Sequence, residues 1–394
     1  MKTRTLALLL SAVCSILLFS CTPVSKESAT VKAALDSLRE RYAPDDRIAV
    51  FDLTVEPRGT TMVVKGDVDN PKAKDESLAA VGKVSGGAVI DSVTVLPDPQ
   101  LGEKKFGILA VSVGNLRTKP GHPNELCTQA MMGTAVKLLK KRGGWYYVQL
   151  PDDYLGWIEA NAMKITTAEG VDAWKSALKV IVTNYFALVR AQPTAAAVPV
   201  SDAVTGVLLK LLARKGGWLE VEIPDGRRGY IEAANVEEFE TWKRTRKLTP
   251  ENVEKTAKMF IGVPYLWGGT SPKGMDCSGF AKMTFRLNGL ELNRDADQQA
   301  RMGEAIDPGQ EFENLKKGDL LFFGRKAAMD KPERITHVGI YLQKREFIHS
   351  PDGSGVKLNS FDPSAPDYTE SLRKSFVRAR RLIGLKQISE VAKK

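Results

Sequence analysis

An internal repeat constrains the fold of this chain more than any other feature of its sequence. Residues 142–163, RGGWYYVQLPDDYLGWIEANAM, align with residues 215–236, KGGWLEVEIPDGRRGYIEAANV, at a constant offset of 73 residues, from 142 to 215. In both copies, short alternating apolar and polar runs are separated by Gly, Pro and Asp turns, the pattern of a small β-barrel. The repeat therefore predicts two consecutive all-β domains of the same architecture.

The length of the chain leaves room for further domains on both sides of the repeat. At 394 residues the chain is too long for one ordinary domain. We predict a multidomain protein: a small α+β domain, two small β-barrels and a larger α+β domain, at residues 30–104, 105–166, 167–245 and 246–386. A helical apolar periodicity also predicts a helix over residues 168–190, between the barrels.

The first predicted domain combines helix and strand patterns. Apolar residues at helical spacing predict helices over residues 31–42 and 75–84, and β-type runs predict strands at residues 48–53, 61–68 and 88–96. The segments VVKGDVDN and GGAVIDSVTVLP resemble those of BON-like envelope domains. We attach no activity to that resemblance.

The N-terminal residues have the pattern of a targeting segment. Lys2 and Arg4 precede an apolar run over residues 6–19, which has the length of a signal peptide and is too short for a membrane-spanning helix. The sequence Leu-Phe-Ser-Cys that ends at Cys21 resembles the bacterial lipobox, in which the cysteine is lipidated. The resemblance implies a cell-envelope lipoprotein attached through Cys21 to the outer membrane, on its periplasmic or surface face. An ordinary signal peptide is the alternative.

The charge of the chain argues against a nucleic-acid partner. The formal net charge is +10, but Lys and Arg are spread along the sequence and form no block of the kind that binds nucleic acid. A basic protein suits an anionic envelope surface instead. No cofactor pattern is present, and we expect a monomer that needs neither a cofactor nor a metal.

The segment GMDCSGF, residues 274–280, places one cysteine between an aspartate and a Ser-Gly pair, after a glycine-rich loop. A helix predicted to begin at Cys277 would lower the pKa of its thiol, and an adjacent imidazole could take its proton. His337 and His349 lie on two predicted neighbouring strands joined by a short turn. This arrangement favours a nucleophile, a base, and a group that orients the base.

Two other interpretations of these three residues stay open. A catalytic zinc site formed by Cys277, His337 and His349 is chemically possible, although no CxxC or HExxH spacing supports it. A buried, inert cysteine with two structural histidines would explain each residue alone. It would not explain why all three occur in one domain.

The last domain resembles the NlpC/P60 cysteine peptidases. The resemblance covers residues 249–384 and is carried, in this order, by PYLWGGTSPKGMDCSGF, LNRDADQQ, KKGDLLFF, ITHVGIYL and FIHS. It implies a papain-like α+β core, with Cys277, His337 and His349 as the catalytic triad and acyl transfer through a thioester. It also implies that Tyr265 helps to form the oxyanion site with the backbone N–H of the nucleophile.

The repeated β-domains resemble bacterial SH3 (SH3b) domains, and the whole arrangement resembles γ-D-glutamyl-L-diamino-acid endopeptidases of the YkfC type. Those enzymes cut the D-Glu–diamino-acid bond of murein peptides, L-Ala-γ-D-Glu-diamino acid, whose L-Ala amine is free. The resemblance implies that Glu125 and Tyr154 of the first SH3b domain, together with Asp276, bind that ammonium group. Carboxylates there would also exclude substrates that carry a sugar on the amine.

The resemblance assigns three further residues to the substrate site. Ser278 follows the nucleophile, Asp295 lies in the Arg-Asp segment that shapes the substrate site, and Trp267 is expected to line the cleft. Ala296 stands where close relatives commonly have a serine, which would remove one hydrogen bond to the substrate.

We therefore expect an envelope-anchored cysteine endopeptidase that trims murein peptides. Three alternatives stay open: a broader D,L-endopeptidase acting on intact peptidoglycan, an amidase or acyltransferase on the same papain-like core, and a non-catalytic wall-binding lipoprotein. The identity of the diamino acid is not readable from the sequence.

Overall fold

The computed structural model describes residues 24–384. The chain forms two compact units, one made of the residues up to Pro44 together with Phe51–Val95, and the other made of Asp45–Val50 together with the residues from Leu96 onward. The predicted signal peptide and lipobox lie outside the described residues. Among the helices that are described, none is both long enough and apolar enough to cross a lipid bilayer.

The first unit combines two helices with a three-stranded sheet. Its elements are α1 (Val24–Tyr42), β1 (Phe51–Arg58), β2 (Thr61–Val68), α2 (Pro71–Ser85) and β3 (Val89–Val95). Strands β1 and β2 pair antiparallel, whereas β2 and β3 pair parallel. Helix α2 begins after Asn70, whose side chain accepts a hydrogen bond from the Lys72 amide, and it ends at Gly86, which has a φ of 61°.

The structure contains each helix and strand predicted for this unit, but several bounds differ, and helix α2 (Pro71–Ser85) extends the predicted 75–84 at both ends. The first helix begins at Val24 rather than at residue 31. The first strand begins at Phe51 rather than at residue 48, because residues 45–50 belong to the other unit.

The repeat forms two seven-stranded sheets of the same topology. The first contains β4 (Phe106–Leu109), β5 (Val113–Arg117), β6 (Leu126–Met131), β7 (Ala135–Arg142), β8 (Trp145–Gln149), β9 (Leu155–Glu159) and β10 (Met163–Thr166). After helix α3 (Ala168–Ser176), the second contains β11 (Lys179–Val182), β12 (Phe186–Arg190), β13 (Pro199–Val204), β14 (Leu208–Lys215), β15 (Trp218–Glu222), β16 (Arg228–Glu232) and β17 (Val236–Glu238).

Strand order and spacing agree between the two copies. From one edge, the order is β10-β4-β7-β8-β9-β5-β6 in the first sheet and β17-β11-β14-β15-β16-β12-β13 in the second. Each strand of the second sheet begins 73 residues after its counterpart, as in Phe106 and Lys179. The sequence repeat therefore extends to the start of every strand. We call the two structures the first and the second repeat domain.

The helix predicted over residues 168–190 is wrong in its second half. Helix α3 ends at Ser176, and the remaining residues form strands β11 and β12. The apolar residues of this stretch fit a helical period, but Val180, Ile181 and Val182 are β-branched and buried in the second sheet. Pairing of β11 with β14 and β17, which follow later in the chain, decides its structure.

The last domain places helices beside an antiparallel sheet, as predicted. After α4 (Phe239–Thr245), its elements are α5 (Pro250–Met259), β18 (Thr270–Ser271), β19 (Gly274–Met275), α6 (Cys277–Arg286), α7 (Ala296–Gln299), β20 (Glu304–Ile306), β21 (Leu320–Arg325), β22 (Arg334–Gln343), β23 (Glu346–His349), β24 (Lys357–Ser360), α8 (Glu370–Ser375) and β25 (Phe376–Arg381). The six-stranded sheet has the order β20-β25-β21-β22-β23-β24. Helix α6 packs against β22, and Phe280, Val338 and Ile340 are fully buried in the common core. This packing brings the start of α6 close to the strand that carries His337.

Candidate active site

Cys277 is the first residue of helix α6, and its neighbours fix that position. Asp276 is the N-cap and accepts a hydrogen bond from the Gly279 amide at 2.7 Å. Gly279 has no room for a side chain, because an added Cβ would lie 2.0 Å from the carbonyl oxygen of Gly269. The Asp-Cys-Ser-Gly sequence therefore sets the cysteine at a helix N-terminus, in close contact with the glycine-rich loop.

The Cys277 thiol experiences opposing electrostatic effects. Only 8% of the residue is exposed, and burial, together with the Asp276 carboxylate, raises the pKa of the thiol to about 12. Hydrogen bonds from the backbone of Val338 and Ser278 act in the opposite direction. Burial prevails, so the lowered pKa expected from the helix N-terminus is wrong for the resting site. The cysteine is a neutral thiol that needs a base to become a nucleophile.

Two histidines and an asparagine form a hydrogen-bonded chain. His337 Nε2 lies 2.7 Å from His349 Nδ1, and His349 Nε2 lies 2.7 Å from Asn359 Oδ1. Asn359 Nδ2 donates to the Asp367 carbonyl oxygen and to Thr369 Oγ1, so its own oxygen faces His349. His349 therefore carries its proton on Nε2 and accepts at Nδ1 from Nε2–H of His337. This leaves Nδ1 of His337 free to accept a proton.

Burial keeps both imidazole rings neutral. It lowers the pKa of His337 to about 3 and the pKa of His349 to about 4. The neighbouring His349 further lowers the pKa of His337, whereas the bond to Asn359 partly offsets the shift of His349. A neutral His337 can accept a proton from a neutral Cys277. The charge states of both groups thus suit such a transfer, and α6 packs against the strand that carries His337.

The two histidines lie side by side for the reason that the sequence indicated. Strands β22 and β23 pair antiparallel, with Gly339 opposite His349. The connecting turn has positive φ angles of 48° at Lys344 and 69° at Arg345. Asn359, in contrast, is absent from the sequence prediction. It lies on β24, which pairs with β23, so a polar residue on the strand after FIHS was the available signal.

Tyr265 lies near the nucleophile in the glycine-rich loop. Its backbone forms an isolated β-bridge with Met275, and its amide donates to the Ser354 carbonyl oxygen at 2.9 Å. Burial raises the pKa of its hydroxyl, and the proximity of Cys277 and Asp276 adds to the effect. Within the described part of the chain, the hydroxyl has no hydrogen-bond partner. It is therefore free to donate to a bound group.

The glycine-rich loop also contacts the first repeat domain. Trp267 Nε1 donates to Glu125 Oε1 at 2.7 Å, while 63% of the Trp267 surface stays exposed. Gly268 has a φ of 76°, and a Cβ at this position would lie 2.2 Å from the Leu126 carbonyl oxygen. Glycine is therefore required where the loop meets the start of β6. The contact holds Glu125 against the glycine-rich loop that precedes Cys277.

The Asp276 carboxylate is fully engaged with protein groups. Its Oδ1 accepts from the Gly279 amide, the Ser278 hydroxyl and Arg294 Nη1. Its Oδ2 accepts from the Gly268 amide and Arg294 Nη2. A carboxylate offers about four lone-pair sites. A substrate ammonium group that contacted Asp276 directly, as expected from the sequence, would therefore have to displace one of these donors. The Ser278 hydroxyl is also engaged, because it accepts a hydrogen bond from Arg294 Nη1 at 2.8 Å.

Arg294 was given no role from the sequence, although it connects two domains. It is only 2% exposed. Its Nε donates to Thr128 Oγ1 of the first repeat domain at 3.0 Å, and both of its Nη atoms donate to Asp276. A buried charge pair is tolerated when it is hydrogen-bonded in this way. The arginine that directly precedes Asp295 in LNRDADQQ was the signal that could have identified it.

Tyr154 and Asp295 meet across the same domain boundary. Tyr154 is 5% exposed, and its hydroxyl donates to Asp295 Oδ2 at 3.0 Å. Asp295 is the N-cap of α7, and its amide donates to Gln298 Oε1. In the described structure no hydrogen bond joins Glu125, Tyr154 and Asp276 to one another. Their contacts run instead through other residues: Glu125 bonds to Trp267, Tyr154 bonds to Asp295, and Asp276 bonds to Arg294 and the Gly268 amide.

The zinc site considered from the sequence has little support in the donor arrangement. Among the described residues, no group of three or more His, Cys, Asp or Glu side chains is placed to hold a metal ion. Both ring nitrogens of His349 already face protein partners, His337 and Asn359. Coordination by His349 would require one of these hydrogen bonds to break.

Two family models match the chain. One is the NlpC/P60 family, over residues 262–380, and the other is the bacterial dipeptidyl-peptidase Sh3 domain, over residues 116–163. The first range includes Cys277, His337 and His349. The second includes Glu125 and Tyr154.

Curated relatives and a solved structure agree with these matches. The γ-D-glutamyl-L-lysine dipeptidyl-peptidase of Bacillus subtilis is 30% identical over 244 residues, which are 60% of this chain and 76% of that protein. The protein of the same name from Bacillus cereus is 28% identical over 236 residues, 58% of this chain and 68% of the relative. The crystal structure of an NlpC/P60 family protein from Bacillus cereus has a TM-score of 0.59 at 26% identity and covers 70% of this chain and 99% of that one. This chain therefore belongs to the NlpC/P60 family and is a cysteine peptidase with an SH3-like domain.

Proposed function

We propose that the protein cleaves the bond between D-Glu and the diamino acid in murein peptides whose N-terminal L-Ala is free. The observation that carries this proposal is the placement of Glu125. Its carboxylate is supplied by the SH3-like domain and is held by Trp267 on the loop that leads to Cys277. A carboxylate there suits a substrate ammonium group. Relatives from two Bacillus species are γ-D-glutamyl-L-lysine dipeptidyl-peptidases, which supports the same class of substrate.

The proposed reaction begins with transfer of the Cys277 proton to Nδ1 of His337. The sulfur then bonds to the γ-carbonyl carbon of D-Glu, and negative charge develops on the carbonyl oxygen. The Cys277 amide, which has no acceptor among residues 24–384, and the Tyr265 hydroxyl would stabilise this charge. The C–N bond breaks as His337 returns the proton to the amine of the diamino acid.

The second half of the reaction restores the thiol. His337 takes a proton from water, and the hydroxide formed attacks the thioester carbonyl carbon. The C–S bond breaks, the sulfur regains a proton from His337, and L-Ala-γ-D-Glu leaves as a free acid. The orientation of His337 by His349 and Asn359 serves both steps, because each needs Nδ1 unprotonated at its start.

Selectivity for a free amine would restrict the enzyme to released peptides. In intact peptidoglycan the L-Ala nitrogen is an amide, which has no positive charge and carries a bulky sugar group. Glu125 would then face a neutral group and would lose a charge-assisted hydrogen bond. We therefore place the enzyme after the hydrolases that release peptides from the glycan.

Mass spectrometry of the products tests the proposed bond. The protein should convert L-Ala-γ-D-Glu-L-Lys, or its meso-diaminopimelate analogue, into L-Ala-γ-D-Glu and the free diamino acid. Cys277→Ala should give no product. Cleavage of intact peptidoglycan at an equal rate would favour the broader D,L-endopeptidase. Absence of any product, with a Cys277 that still reacts with a thiol probe, would favour a wall-binding role.

We also propose that the protein is a lipoprotein of the outer membrane, attached through Cys21. Each buried methylene of an acyl chain contributes about 0.8 kcal/mol of membrane affinity, and more than one chain is needed for stable attachment. Cys21→Ser should therefore move the protein from the membrane fraction to the soluble fraction of cells. Unchanged sedimentation with membranes freed of cell wall would rule the lipid anchor out.

A further inference from the structure

A short segment outside both family matches places an arginine in contact with Asp295 of the peptidase domain. The segment Asp45–Val50 belongs to the same compact unit as the SH3-like and peptidase domains. The Leu155 amide donates to the Arg47 carbonyl oxygen at 2.8 Å. Val50 lies in a buried apolar cluster with Leu139 and Leu155. Backbone and side-chain contacts thus fix the segment on the SH3-like domain.

The Arg47 guanidinium forms five hydrogen bonds with three carboxylates. Nε and Nη2 donate to Asp45 at 2.8 and 2.8 Å, and Nη1 and Nη2 donate to Asp297 at 2.8 and 2.9 Å. The second N–H of Nη1 donates to Asp295 Oδ2 at 2.9 Å. An arginine has five N–H donors in a planar fork, so every donor is used. Gln298 Nε2 adds a further bond to Asp45 at 2.8 Å.

Asp295 connects this cluster to the candidate site. Its Oδ2 accepts from both Arg47 Nη1 and the Tyr154 hydroxyl, at 2.9 and 3.0 Å. Its Oδ1 lies 3.8 Å from Arg294 Nη1. The charged and titratable groups that face Asp295 from the surrounding elements are Arg47, Arg294, Asp297, Tyr154 and Cys127.

We propose that Arg47 is a positioning residue of the peptidase, which holds the Asp295 carboxylate and the Tyr154 hydroxyl in the arrangement that receives the N-terminal end of the substrate. The inference rests on the proposed function and on the family resemblance, which implies that Tyr154 and Asp295 belong to the substrate site. Arg47 itself is occupied by carboxylates and acts through them. It lies outside residues 116–163 and 262–380, so neither matched domain supplies this group.

Removal of Arg47 would change the charge around Asp295. Three carboxylates would then surround an empty position, and Arg301, which is 3.5 Å from Asp297 with 72% of its side chain exposed, could not replace the lost cation. Burial already raises the pKa of Asp295, whereas Arg294 and Arg47 lower it. Without Arg47, Asp295 would keep its proton to higher pH. A protonated Asp295 is a weaker acceptor for Tyr154.

Steady-state kinetics of three variants tests this role. Arg47→Gln should raise KM for L-Ala-γ-D-Glu-L-Lys by on the order of tenfold or more, with a smaller change in kcat. In this variant, the acidic limb of the pH profile of kcat/KM should move to higher pH, because Arg47 no longer lowers the pKa of Asp295. Arg47→Lys keeps the charge without the planar fork and should recover part of the loss. The control Arg301→Gln removes another cation beside Asp297 and should leave KM and the pH profile unchanged.

A second measurement needs no substrate. In protein labelled with carbon-13 at the aspartate carboxyl groups, the Asp295 signal can be assigned with Asp295→Asn. It should titrate at higher pH in Arg47→Gln than in wild type. Should Arg47→Gln fail to fold, Arg47→Lys serves for both measurements, with a smaller expected shift in each.

The two measurements separate this inference from the proposed function. If wild type hydrolyses the peptide but Arg47→Gln shows the same KM and the same Asp295 titration, Arg47 has no positioning role and the function stands. If the Asp295 titration shifts as expected but wild type does not hydrolyse the peptide, the proposed function is wrong. Arg47 would then position a site for another ligand, and the inference as stated would be overturned as well.

Discussion

Asn359 determines which ring nitrogen carries the proton in each of the two site histidines. Its amide group is itself oriented by the Asp367 carbonyl oxygen and Thr369. Without this acceptor, His349 could place its proton on Nδ1 and could no longer accept from Nε2–H of His337. A neutral His337 would then tend to carry its proton on Nδ1, the nitrogen that has to act as the base.

We therefore predict that Asn359→Ala lowers kcat by on the order of tenfold or more and leaves KM close to the wild-type value. Steady-state kinetics on the free tripeptide measures both constants. Asn252→Ala is the matched control, because the Asn252 side chain donates to the Lys247 carbonyl oxygen at the start of α5. Equal kcat values for the two variants would mean that the tautomer is fixed by something other than Asn359.

The raised pKa of Cys277 predicts how the reactivity of its thiol depends on pH. Because the pKa lies near 12, the thiolate fraction should rise about tenfold for each pH unit between about pH 6 and 10. Alkylation of the Cys277 peptide by iodoacetamide, followed by mass spectrometry, should accelerate throughout this range. Cys127 must be quantified separately, since burial raises its pKa to about 12 as well. A rate that levels off below pH 8 would indicate a thiolate–imidazolium pair and would contradict a neutral resting site.

Residues were predictable from the sequence where their chemistry lies in a short motif. Cys277 and His337 are recognisable from GMDCSGF and ITHVGIYL. The roles of Arg294 and Arg47 were not predictable, because both side chains bond to residues far away in the sequence. Arg294 bonds to Thr128, and Arg47 bonds to Asp295. The sequence alone does not indicate that a particular arginine side chain will be buried.

At the scale of elements, the repeat predicted more than local propensity did. The 73-residue offset holds for the start of every strand in the two repeat domains. Helical periodicity, in contrast, failed over β11 and β12 because sheet pairing outweighs a local pattern of apolar residues. Equivalent positions of the repeat would have corrected this error, since β11 is the counterpart of β4.

The contact between Gly268 and β6 gives a prediction for the loop that carries Tyr265 and Trp267. In Gly268→Ala, the new methyl group would lie 2.2 Å from the Leu126 carbonyl oxygen, so the loop and β6 must separate. We expect an increase in KM and a loss of more than about 1 kcal/mol in the free energy of unfolding. Peptide kinetics and urea denaturation measure these two quantities.

Gly143→Ala is the control for the backbone effect alone. Gly143 has a similar φ of 58°, and nothing lies within 4 Å of an added Cβ. This variant should lose about 1 kcal/mol of stability and keep the wild-type KM. If both variants change KM equally, the contact between the loop and β6 does not shape the substrate site.

For the whole molecule, the approach of the first repeat domain to the peptidase domain is the feature that the sequence could not give. Three residues in and just before β6 make the contacts: Glu125 with Trp267, Thr128 with Arg294, and Gln129 with Thr270. Contacts of this kind depend on the shapes of two folded surfaces, which local sequence patterns do not predict. The family resemblance supplied the expectation that the domains meet, but not which side chains join them.

The second repeat domain contacts the peptidase domain with different chemistry. At the offset of 73 residues, the counterpart of Glu125 is Val198, which is 71% exposed. The counterpart of Tyr154 is Arg227, which donates to the carbonyl oxygens of Val200 and Ala110. The second domain thus has neither the carboxylate nor the phenol of the first. Its contacts with the peptidase domain include an ion pair of Asp202 with Lys273 at 2.6 Å.

The central claim is that Glu125 of the SH3-like domain recognises the free amine of the substrate. The most direct test is the ratio of kcat/KM for L-Ala-γ-D-Glu-L-Lys to that for its N-acetylated form, measured for wild type and for Glu125→Gln. A charge-assisted hydrogen bond contributes roughly 1.5 to 3 kcal/mol, so wild type should prefer the free peptide by about tenfold or more.

Glu125→Gln keeps the size of the side chain and an oxygen that can accept from Trp267, but removes the charge. The ratio should therefore fall towards one, mainly through a higher KM for the free peptide, while alkylation of Cys277 stays at the wild-type rate. If wild type cleaves both peptides equally well, or if Glu125→Gln discriminates as strongly as wild type, the amine is not recognised by Glu125 and the account is contradicted.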